Sequence, residues 1–171
     1  MKARIRKIRR RLRLSRFRRS ERGTQLVELA IVVPILLILF AGAAEFGRYF
    51  YEYTTLAKGA RVGARYLSTA GMKVDPAQQV PVDGAAMNLV VYGNTSGTGS
   101  PILSGLTTSN VQISRAGGVP GVPQTITVQI INYKHQPVFN IGALLKVPSL
   151  SLNIDVKPSV TMRNLLTTPV I

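Results

Sequence analysis

From Leu26 to Ala44 the chain runs for nineteen residues with one charge, Glu28. As a helix rising about 1.5 Å per residue, this run is roughly 28 Å long, the hydrocarbon thickness of a bilayer. Few other folding routes are open to such a segment, and it predicts a membrane span. Pro34 interrupts the run. A proline costs a helix in water about 3 kcal/mol, but spanning helices accept one where neighbours re-satisfy the freed carbonyl, here that of Ala30.

The formal net charge of +15 suggests a nucleic-acid binder until it is located. Residues 1–22 hold twelve Lys/Arg and one acid, Glu21, and the other 149 residues hold ten against six. The excess is therefore a tail beside the apolar run and not a charged face of the fold. Placed there, it argues for a cytoplasmic N-terminus, an exported C-terminal part and contact with anionic lipid headgroups. No nucleic-acid partner is expected. The chain has no cysteine, so disulfides and thiolate metal sites are excluded.

The helical pattern continues past the span. Phe46, Tyr49, Phe50, Tyr53, Leu56, Ala57, Ala60, Ala64 and Leu67 recur at spacings of three and four, with Arg48, Glu52, Lys58, Arg61 and Arg65 among the residues between. Glu45 to Arg48 and Arg48 to Glu52 are spaced to pair along the helix. Gly59 and Gly63, four apart, form a small patch where another backbone can approach. One helix is predicted from about 24 to 69, ending at Gly71. Five of the eleven aromatics, Phe46, Tyr49, Phe50, Tyr51 and Tyr53, fall within eight residues. They read as an interfacial belt that also packs on the exported domain.

Beyond Gly71 the pattern is that of a small α+β domain with an antiparallel sheet. Asp83 is placed to cap a short helix over 84–92, ended by Gly93-Asn94, and Gly93–Pro101 reads as loop. Val111–Arg115 and Thr125–Tyr133 read as strands, the second with Ile126, Val128 and Ile130 on one face. The clearest alternation is Leu150–Val156, continuing in parity through Pro158 to Val160 and Met162, with Pro158 marking an edge or bulge. The expected organisation is a basic leader over 1–23, a long helix over 24–70 that leaves the membrane at about 45, and an exported domain over 71–171.

Little here points to catalysis or to a cofactor. His135, the only histidine, has no acid or nucleophile marked as its partner and reads as a surface or turn residue. The Gly93–Ser100 loop lacks the terminal Gly-Lys of a phosphate-binding loop. Asp75, Asp83 and Asp155 are too scattered for a calcium site, and no metal ligands are proposed.

The residues that carry a function lie at the head of the span. A basic leader is followed by Gly23, Thr24, and then Glu28 at the fifth position after the glycine. This is similar to the arrangement of type IV prepilins. Glycine places no side chain before a scissile bond and lets the chain fit a peptidase cleft. An ionised carboxylate inside an apolar helix is costly and by default functional. After cleavage, Thr24 would carry a new α-amine with which a neighbouring subunit's Glu28 could pair, setting the register of packed helices. A wrong register would leave a buried charge alone.

Over residues 20–70 the chain resembles the TadE-like family, pilin-like components of tight-adherence (Flp) pilus systems. The resemblance rests on Gly23-TQLV-Glu28, on Leu29-AIVV-Pro34-ILLILF, on Glu45-Phe46-Gly47-Arg48 with Tyr51, and on Ala60-Arg61-Val62-Gly63-Ala64-Arg65-Tyr66. It departs at Leu29, where an aromatic is common, and at Val62, where an acid is common. The resemblance implies cleavage between Gly23 and Thr24 by a prepilin peptidase. It also implies partnership with other pilin-like subunits and the pilus assembly platform, and a place in the bacterial inner membrane. Two rival readings share parts of this pattern. One is an uncut single-span anchor for an envelope binding module. The other is a secreted domain released by cleavage after Ala43 in the small-residue stretch Ala41-Gly42-Ala43.

Overall fold

The computed structural model describes residues 18–70, 76–118 and 123–165. Helix α1 runs Arg18–Ala70 and helix α2 runs Pro76–Tyr92. Strands β1 (Val111–Ala116) and β2 (Thr125–Ile130) follow, then the one-turn helix α3 (Ile141–Leu144) and strand β3 (Ser159–Arg163). The fold is α+β: a long N-terminal apolar helix followed by a small domain with a three-stranded antiparallel sheet of order β1-β2-β3. The chain divides between Phe40 and Ala41 into two units.

In the first unit, α1 exposes its apolar residues all round. Leu26, Ile31, Leu37 and Phe40 are each more than 60% exposed. The span has the length and hydropathy to cross a membrane. Pro34 lies inside the helix, as the run predicts.

In the second unit, α1 buries a narrow stripe: Leu56, Ala60, Ala64 and Leu67, spaced four, four and three apart. Fully burying a leucine of this kind is worth about 1.5–3 kcal/mol. Val90 and Val91 of α2 and Ile126, Val128 and Ile130 of β2 complete the centre of the core. The central strand β2 alternates as expected, its three isoleucine and valine side chains buried. The glycine patch on α1 serves this core. A Cβ on Gly59 would stand 3.0 Å from the Val90 carbonyl oxygen, and one on Gly63 would stand 2.6 Å from Val90 Cγ2. The backbone that approaches Gly59 and Gly63 is α2 of the same chain.

Four expectations need correction. The second helix starts at Pro76, not at residue 84, with Pro81 inside it. Asp83 is therefore no cap; its carboxylate accepts from Gln79 Nε2 at 2.7 Å and from both terminal nitrogens of Arg115 on β1. Its other end falls where expected, at Gly93 with φ +72°. Strand β2 stops at Ile130, because Asn132 turns the chain with φ +55° before Tyr133. The third strand is also not Leu150–Val156. That stretch keeps only an isolated bridge between Asp155 and Lys134, while Leu150 and Ile154 stay exposed. The paired strand begins after Pro158, whose carbonyl accepts the Ile130 N–H at 2.9 Å, and Met162 and Val160 face Ile126 and Val128 in register. The parity was right but the ladder lay further on: β2 is six residues long, and β3 pairs with its Thr125–Gln129 part. The helix end expected at Gly71 lies outside the described residues.

Candidate functional site

Two carboxylates on α1, one in each unit, draw attention for opposite reasons. Glu28 is exposed in the apolar part of α1 and has no hydrogen-bond or ion-pair partner among the described residues. The glycine before it, Gly23, has open space around its Cα, with nothing within 4 Å of an added Cβ. Thr24 is exposed on the same helix.

Glu45, in contrast, is 1% exposed and is the centre of a polar cluster. Its Oε1 accepts the backbone N–H groups of Val138 and Phe139, both at 2.9 Å. Arg48 Nη1 stands 3.3 Å from both of its oxygens. His135, fully buried, places Nε2 3.2 Å from Glu45 Oε2 and Nδ1 2.8 Å from Glu52 Oε2. Tyr49 closes the side of the imidazole edge-on, ring centroids 5.8 Å apart. Glu45 and Glu52 lie seven apart, two helical turns, so both reach one face of α1 where a single ring bridges them.

The electrostatics follow from that geometry. Burial pushes the Glu45 carboxyl up, but the Phe139 N–H, His135, Arg48 and the Val138 N–H together hold it below the usual carboxylate value. Both ring nitrogens of His135 and both Glu45 oxygens have hydrogen-bond partners within the cluster, which is how buried polar groups avoid a large desolvation cost. Nearby, burial first and then the Glu52 charge push the Tyr133 phenol up, and its hydroxyl donates to the Ser104 carbonyl at 3.2 Å.

This corrects two expectations. His135 is not a surface or turn histidine. Glu52 does not pair with Arg48; it gives its oxygen to His135 instead, while Arg48 pairs with Glu45 as the spacing predicts. The missed partners are 83 and 90 residues apart in sequence, and no local pattern announces them. The one available signal was an unusual one: a lone histidine in a segment, Tyr133–Gln136, between buried alternating positions. Arg61 and Arg65 stay exposed with no side-chain ion pair among the described residues. Of the aromatic group, Tyr49 packs on the core while Phe46, Phe50, Tyr51 and Tyr53 remain exposed.

The cluster is a buried clasp that joins α1 to the segment from His135 to Phe139. No hydroxyl or thiol is hydrogen-bonded to His135 among the described residues, and the ring is sealed from solvent. No group of three acidic or histidine side chains among them is set to hold a metal ion. An open groove of about 980 Å³ lies beside it, lined by Arg48, Tyr51, Glu52, Tyr133, Lys134 and Val138 among others.

The chain is a long exposed apolar helix, able by length and hydropathy to cross a membrane, leading into a small α+β domain. The family model described as TadE-like protein matches residues 23–65, and over this segment the chain is similar to that family. The match starts at Gly23 and ends at Arg65, so it takes in Glu28, Pro34 and the α1 half of the clasp but none of the domain beyond. Neither the curated proteins nor the solved structures contain a match to this chain.

Proposed function

We propose that the chain is a membrane-anchored, pilin-like subunit that supports assembly of a tight-adherence (Flp-type) pilus. The observation that carries this reading is the TadE-like match beginning at Gly23, with Glu28 five residues on, on a helix whose apolar surface the chain leaves uncovered. TadE-like proteins are Tad pilus-associated, pilin-like structural or assembly proteins and not enzymes. In this reading a prepilin peptidase cuts between Gly23 and Thr24, and residues 1–23 are a leader. Residues 24–70 span the inner membrane to about 45, and 71–171 form the exported domain. A neighbouring subunit's Thr24 amine pairs with Glu28, and other pilin-like subunits and the assembly platform cover the exposed helix.

The rival readings separate on mature mass. A cut after Gly23 leaves 148 residues and a cut after Ala43 leaves 128. The second would sever α1, which runs as one helix from Arg18 to Ala70. An uncut anchor would keep all 171 residues. N-terminal sequencing of the protein from cells with and without active prepilin peptidase decides among the three. Thr24 at the new terminus, only where the peptidase is active, is expected. An unprocessed chain in both strains would sink the pilin reading.

A further inference from the structure

The segment from Val138 to Leu150 is built to show apolar residues to its surroundings. Val138, Phe139, Leu144, Leu145, Val147 and Leu150 are all exposed, Val138 and Leu144 to about 70%. The segment is nonetheless held in one conformation. Asn140 Oδ1 accepts the Ala143 N–H at 3.0 Å, and the Gly142 carbonyl accepts the Val147 N–H at 2.9 Å. Gly142 is so closely approached that an added Cβ would meet Ser151 N at 2.7 Å and Val147 O at 2.9 Å. Lys146 takes φ +53° to complete the turn. A chain that only needed to connect β2 to β3 would not spend a closed turn on holding leucines in water.

The position of this segment identifies what covers it. Its first two backbone N–H groups, those of Val138 and Phe139, are bonded to Glu45. Glu45 is the residue immediately after the apolar run Leu26–Ala44. On a spanning helix that residue lies at the bilayer surface, so the apolar turn is tied to the same level. From Lys134 to Leu150 the chain carries Lys134 and Lys146 and no acid, a charge pattern that complements anionic headgroups.

We propose that the turn 138–150 is a second membrane contact, dipping its leucines and Phe139 into the outer interface of the bilayer. It rests on the reading of α1 as a membrane span. Interfacial segments of this kind bury roughly 5–10 Å into the headgroup and acyl boundary. The clasp at Glu45 then has a use: it ties the start of the turn to the residue that follows the apolar run.

The chain has no tryptophan, so single tryptophans report on the full protein without background. Leu144→Trp, Phe40→Trp and Val62→Trp are reconstituted separately into vesicles of phosphatidylethanolamine and phosphatidylglycerol. The acyl chains carry bromine either near the headgroup or near the methyl end. Leu144 and Val62 are exposed, so neither change disturbs a core. Leu144→Trp should lose roughly half its emission to the shallow bromines and less to the deep ones, as an interfacial depth requires. Phe40→Trp should be quenched as a span residue, and Val62→Trp should not respond. Quenching of Phe40→Trp with none of Leu144→Trp overturns the second contact and leaves the span standing. No quenching of either overturns both. A blue shift of Leu144→Trp that grows with protein density and is indifferent to bromine also overturns it, and assigns the turn to a second copy of the chain.

Discussion

Residues 26–40 and residues 45–67 belong to one helix, yet the first expose nearly every apolar side chain while the second bury a single stripe. Each stretch carries a glutamate. Glu45 has donors from α1, from the 138–139 backbone and from His135, all within the chain, and is sealed from water. Glu28 has none of these and stands on an apolar surface. An ionised carboxylate in an apolar setting is tolerated only with partners. Where the chain supplies them, the charge belongs to the fold; for Glu28 the described residues supply none, and the proposed reading assigns its partner to a neighbouring subunit. The same division holds for glycine: Gly59 and Gly63 are filled by Val90, while Gly23 and Gly47 face open space.

The sharpest break of that contrast is substitution of both carboxylates in turn. Glu28→Ala should leave insertion and domain stability unchanged, because no intramolecular contact is lost. It should abolish pilus production and co-purification with other pilin-like subunits. Full piliation by this variant would defeat the intermolecular reading of Glu28. Glu45→Ala should do the reverse at the level of the fold. It strands the Nε2 of His135 and two backbone N–H groups, and each buried polar group left unsatisfied costs about 1–3 kcal/mol. Thermal unfolding of the full chain in detergent, followed by the near-ultraviolet signal of its tyrosines, measures this. A Glu45→Ala domain as stable as wild type would show that the clasp is not structural.

A smaller effect is expected at the glycine patch. Gly63→Ala places a methyl 2.6 Å from Val90 Cγ2. Valine is stiff at χ1, so α2 must shift, and overpacking of this sort costs about 1–3 kcal/mol. The same unfolding experiment reads it. If Gly63→Ala were neutral while assembly failed, the patch would serve a neighbour's helix and not α2.

Acid should sharpen the account of Glu45 more gently. Its folded pKa lies below the ordinary 4.5, because its partners outweigh burial. The stability it contributes is therefore full above the ordinary value and is lost as pH falls through the lower folded one. Unfolding midpoints taken on either side of that range should drop on acidification in the wild type. The drop should be shallower in Glu45→Gln, which cannot titrate. Equal slopes in the two proteins would remove Glu45 from the acid response. The smallest effect belongs to Arg61→Ala, an exposed residue without an ion pair among the described residues, which should change stability by less than about 0.5 kcal/mol.

Several features encoded by near neighbours could be read directly from the residues, although the start of α2 and the end of β2 could not. The long apolar helix follows from nineteen consecutive residues, the core stripe from spacings of three and four, and the Glu45–Arg48 pair from one helical turn. The inner face of β2 follows from alternation. These features depend on residues within a few positions of one another, so periodicity and composition suffice. Misreadings began where a choice rested on distant partners. Leu150–Val156 alternates better than Ser159–Arg163, yet the latter forms the strand, because it is the stretch that lies alongside β2. Asp83 looks like a cap, yet it serves Arg115 from 32 residues away. His135 looks like a turn residue, yet chain closure brings it between two glutamates of α1 and denies it water. Local sequence sets what each segment can become. Which buried charge meets which partner depends on loop closure over scores of residues, and only the packed tertiary structure decides that.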